Sequence, residues 1–84
     1  MFTLIVDCNG FPLEHHAYIT DGDGKIIGLA QLPVDEIAPY VNNDRRISKV
    51  VLSGPTEYCL GLKDDISENL SQEYSIRNVE IEVI

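Results

Sequence analysis

A mixed β-sheet with helices, an α/β (α+β) fold in the order β-β-β-α-β-α-β, is predicted by three features of the sequence. The two Asp-Gly steps of Asp21-Gly22-Asp23-Gly24 lie between apolar runs and mark a hairpin. Tyr58, Leu62, Ile66, Leu70 and Tyr74 recur every four residues, the spacing of one helix face. Val79, Ile81 and Val83 alternate with Glu80 and Glu82, the period of a half-buried strand.

The first strand is expected at residues 2–6, where Phe2-Thr3-Leu4-Ile5-Val6 barely alternates, as in a strand covered on at least one face. It stops at the turn formers Asp7-Cys8-Asn9-Gly10, with Pro12 beyond. Residues 15–20 and 25–31 form the hairpin arms and should be antiparallel neighbours. Pro33 and Val34 then lead into a short helix, with Asp35 as its cap and Pro39 tolerated only in its first turn. Asn42, Asn43 and Asp44 end it. Residues 49–53 read as a buried strand halted by Gly54-Pro55. In the long helix that follows, Pro55 suits the first position and Glu57 the positive end of the helix dipole. Cys59 and Leu60 are expected on its apolar side. With residues 79–83 as the last strand, the final strand, helix and strand make a right-handed parallel crossover.

At 84 residues and 44% apolar content, the chain, residues 1–84, is expected to be one domain that folds without a metal or disulfide. No apolar run approaches the roughly 20 residues that cross a bilayer, and no basic segment precedes an apolar one at the N-terminus. A cytoplasmic protein with no membrane partner follows as the expectation, and Cys8 and Cys59 should be reduced thiols. Fourteen acids against six bases give a net charge of -8, which argues against nucleic acid as a direct partner. Half of the positive charge gathers at Arg45, Arg46 and Lys49, a candidate basic loop for an acidic partner or simply a solvated one.

Other constellations are incomplete. A calcium loop opening at Asp21 would place Lys25 and Leu32 where oxygen ligands are required. His15 and His16 are adjacent, so in a strand they point to opposite faces. One of them with Cys8 and Cys59 would form an incomplete zinc site, or a Cys-His nucleophilic pair with no third group to orient it. Two buried thiols are the simpler reading, and no cofactor is expected.

The order of elements, with Asp7 closing the first strand, a hairpin after it and a helix on each later crossover, resembles the minimal core of the ribonuclease H-like fold, which the actin-like ATPases share. The resemblance covers nearly the whole chain. It implies a five-stranded mixed sheet of order 3-2-1-4-5 with the second strand antiparallel. Right-handed crossovers in that order put both helices on one face and leave the other open. Nuclease members gather carboxylates around two metal ions. Asp7 matches the first position and Glu36 or Asp35 the second, whereas Ser53-Gly54-Pro55 stands where an Asp is needed and the sequence stops at Ile84 before a later helix. Actin-like members hold nucleotide between two domains with glycine turns, which Asp7-Cys8-Asn9-Gly10 and Val51-Leu52-Ser53-Gly54 match over a few residues.

The function expected from this reading is a non-catalytic protein-binding module. Its open face would offer Thr3, Ile5 and Asp7 from the first strand and Glu80, Glu82 and Ile84 from the last. The second strand would add either His16, Tyr18 and Thr20 or His15, Ala17 and Ile19. The candidate interface is therefore Thr3, Ile5, Tyr18, Glu80, Glu82 and Ile84, or the edge of the last strand. The partner would be another protein or a second copy in a homodimer. Two further readings are an acidic nucleic-acid-mimicking inhibitor of phage or mobile-element type, with a slight acidic cluster at Asp64, Asp65 and Glu68, and a metal-dependent nuclease or phosphotransferase centred on Asp7, with Asp7 and Glu36 as candidate metal ligands.

Overall fold

Alternation along the strands and a four-residue repeat along one helix divide the chain into a sheet and a helical layer. A computed structural model describes residues 1–9 and 14–84. The elements are β1 (Phe2–Asp7), β2 (Glu14–Thr20), β3 (Ile26–Pro33), a 3₁₀ turn (Val34–Glu36), α1 (Ile37–Asn43), β4 (Ile47–Ser53), α2 (Thr56–Tyr74) and β5 (Glu80–Val83). They form a five-stranded mixed sheet of order β3-β2-β1-β4-β5, as expected. β2 runs antiparallel to both neighbours, and β1, β4 and β5 run parallel.

The hairpin between β2 and β3 closes where the Asp-Gly steps predict it. The Asp21 carboxylate accepts the backbone N–H groups of Asp23 at 2.9 Å and Lys25 at 3.0 Å, and Gly24 takes the positive φ of 83° that the turn demands.

Leu4 and Val6 of β1, Ala17 and Ile19 of β2, Val50 and Leu52 of β4 and Ile81 of β5 all enter one core with Ile37, Ala38 and Val41 of α1 and Cys59, Leu62, Ile66 and Leu70 of α2. The two helices also pack on each other, so both cover the same face of the sheet. The four-residue repeat of α2 accounts for this: Leu62, Ile66 and Leu70 form the buried stripe, with Tyr58 and Tyr74 half-buried at its ends. Leu60 departs from the expectation and is 49% exposed. At about 100° per residue it lies well around the helix from that stripe.

Two caps also differ. Asp35 sits inside the 3₁₀ turn and makes no capping hydrogen bond, while Pro55 is the N-cap of α2 and not its first helical residue. Pro39 falls in the first turn of α1, where its missing N–H leaves no bond unmade. α2 ends with Ser75 in the left-handed conformation at φ 56°, which lets the Ile76 N–H reach the Leu70 carbonyl at 2.8 Å. Among the described residues, no helix is long and apolar enough to cross a membrane.

Candidate functional site

The face of the sheet opposite the helices is the candidate site. Strand register places Leu29, Tyr18, Ile5, Val51 and Glu82 side by side across all five strands on this face. Leu29 is 79% exposed, Tyr18 and Ile5 are half-buried, and Val51 is screened by its neighbours. The adjacent row is polar: Gln31, His16, Asp7 and Ser53 follow one another across four strands. Between the two rows lies a shallow groove of about 570 Å³, bounded by Asp7, His16 and Gln31 on the polar side and by Tyr18 and Leu29 on the apolar side.

The register settles which face β2 presents. His16 and Tyr18 lie on the open side, whereas His15, Ala17 and Ile19 are buried beneath the helices. The reason is a partner 43 residues away: His15 Nε2 lies 2.9 Å from the Tyr58 hydroxyl of α2, with the two rings edge to face at 5.8 Å. His15 Nδ1 is buried with no hydrogen-bond partner, and burial holds the imidazole below its usual pKa, so the neutral ring is favoured.

Asp7 lies on the open face at the C-terminal end of β1, as expected, but its carboxylate is engaged by the chain itself. Oδ1 accepts both the backbone N–H and the side-chain amide of Asn9 at 3.0 Å. These bonds favour the charged carboxylate and hold Asp7 below the ordinary range. Glu36 is on the other side of the sheet, in the turn before α1 whose Val34 and Asp35 share a hollow with Leu62 and Asp65 of α2. Among the described residues, no three His, Cys, Asp or Glu side chains come together as metal ligands.

Cys8 and Cys59 meet in the core as free thiols. Burial and the neighbouring Cys59 thiol push Cys8 up to about 12, the opposite of an activated nucleophile. The close approach of β1 and β4 here requires a glycine: a Cβ on Gly54 would stand 3.0 Å from the Cys8 Cβ, and its φ is 153°.

Of the basic cluster, Arg45 and Arg46 stay together in the turn between α1 and β4, and Lys49 lies apart from them. Arg45 bonds the carbonyl and side chain of Asn42 at 3.0 and 2.8 Å. Arg46 makes a two-pronged pair with Asp44 and stacks 4.6 Å from the centre of the Phe2 ring. Lys49 is no loop residue but belongs to β4, on the open face, where its Nζ lies 2.6 Å from Glu82 Oε2. The three cations are thus tied to the protein's own acceptors. Of the other expected interface residues, Thr3 and Glu80 share the open-face row next to Ile5 and Glu82, and Ile84, just past β5, is 67% exposed. Leu29 and Val51 join the row with Tyr18 and Ile5 although neither is among the interface residues expected from the sequence. Alternation from Leu32 and from Val50 carries the signal for them. Neither a protein-family model nor a curated protein sequence matches this chain.

Proposed function

We propose that this chain is a protein-binding module whose uncovered sheet face receives an apolar surface of a partner protein. The observation that carries the reading is the row Leu29, Tyr18, Ile5 and Val51, a continuous apolar band across four strands that no described helix or strand packs over. The polar row beside it, from Gln31 to Ser53, supplies hydrogen-bonding groups at the rim, the usual arrangement of a contact patch.

Catalysis by paired carboxylates finds less support, since Asp7 and Glu36 lie on opposite sides of the sheet. Mimicry of nucleic acid needs the acids on one surface. Here Asp64, Asp65 and Glu68 ride on α2, whereas Glu80 and Glu82 stand on the open face.

Affinity capture from the cells that express the protein tests the proposal, with parent, Tyr18→Glu and Leu60→Glu chains compared by quantitative mass spectrometry. Tyr18 is on the band and Leu60 is an exposed apolar residue on the helical side. A stoichiometric protein partner should accompany the parent and Leu60→Glu and be lost from Tyr18→Glu. Retention by Tyr18→Glu, with its circular dichroism unchanged, would contradict the assignment, and so would a parent that brings down nothing above background.

A further inference from the structure

Among the described residues the sheet has two unpaired edges, and they are built differently. β5 has four residues, presents Glu80 and Glu82 and ties Glu82 to Lys49, features that discourage another strand from adding. β3 has eight residues and none of those guards along its middle. It lies within residues 26–34, the longest stretch of the chain without a charged side chain. Ile26, Ile27 and Leu29 are exposed by 56%, 46% and 79%, so half of the large exposed apolar side chains among the described residues belong to this one strand. Only its ends are marked, by Lys25 before it and by Pro33, which has no N–H to donate.

We propose that β3 is the seam of a homodimer, in which two copies pair antiparallel along this edge about a two-fold axis near Leu29 and Ala30. The backbone N–H and C=O groups along the outer side of β3 are complementary to another strand edge. A two-fold axis perpendicular to the sheet brings that edge against itself. The uncharged edge is what suits β3, of the two edges, to a second copy of this acidic chain. Two chains of net charge -8 repel, and β3 is the edge along which they meet without setting carboxylates against each other. Closure supports the same choice: the paired sheet ends at a guarded β5 on either side, so assembly stops at two. The seam and the binding face proposed above share Leu29, and Tyr18→Glu, which alters the band away from the edge, separates the two readings.

Light scattering coupled to size exclusion, over low to high micromolar concentrations of the full chain, should show a concentration-dependent rise from 9.4 kDa towards twice that mass. Leu29→Lys should weaken the dimer by a factor on the order of 100 or more, because each of the two copies loses an apolar contact and gains a charge at the seam. Ile84→Lys, at the β5 side, and Tyr18→Glu, on the open face, should leave it intact. Hydrogen exchange should show the amides of β3 gaining protection as concentration rises. A chain that stays monomeric throughout would overturn the proposal. A dimer that ignores Leu29→Lys in a folded variant, or one whose protection falls outside β3, would overturn it equally.

Discussion

The two faces of β1 use the same kind of side chain for different ends. Leu4 and Val6 are fully buried beneath the helices, while Ile5 between them stays half-exposed beside Tyr18 and Val51. Alternation separates the two sets by a single residue, so one strand serves a core and a surface at once. The helix-covered side holds the fold together, and its residues are constrained by volume.

The sharpest break of this comparison is a pair of truncations. Leu4→Ala should cost about 3–4 kcal/mol in a urea titration, because the side chain is fully buried in the core, whereas Ile5→Ala should cost about 1 kcal/mol or less. Equal losses would erase the distinction between the faces. Gly54→Ala should come next, at about 2 kcal/mol, since the added Cβ presses on Cys8 and its backbone is unsuited to L side chains. A thermal midpoint unchanged by that substitution would show that β1 and β4 have room to part.

The buried His15 sharpens the comparison through pH. His15 is neutral in its buried site, with its pKa lowered from 6.5, so the unfolded chain takes up a proton that the folded chain resists. Stability should therefore fall as pH drops from about 7 towards 5, well above 3.8, the ordinary value from which Asp7 and Asp44 are lowered. His15→Gln should flatten that slope in denaturation curves measured across the range. A slope unaltered by His15→Gln would place its origin elsewhere. The smallest effect should be a gain: Ser75→Gly relieves the left-handed residue after α2 and should stabilise by about 0.5–1 kcal/mol, read as a rise of a few degrees in Tm.

Much of this architecture was legible in the chain. The doubled Asp-Gly turn, the stripe from Tyr58 to Tyr74 and the alternation after Val79 are local signals, and each marks its element to within a few residues. What stayed hidden depends on distant partners. Either set of β2 side chains is mixed in polarity, and the hydroxyl of Tyr58 decides between them by meeting His15. Arg45, Arg46 and Lys49 look like one basic loop, but Lys49 belongs to β4 and pairs with Glu82 of β5. The apolar run of β3 carries no local sign of its place at the rim, which follows only from the strand order that the resemblance implies. The open face was anticipated from topology, but its apolar centre came into view only with the register.

The claim that the open side of the sheet is where this protein meets others can be tested by placing a photo-reactive phenylalanine analogue at position 18 and, separately, at position 60, then irradiating the cells that express each. The account predicts discrete protein adducts from position 18 and none from position 60. Adducts of equal yield from both positions, or from position 60 alone, would contradict it.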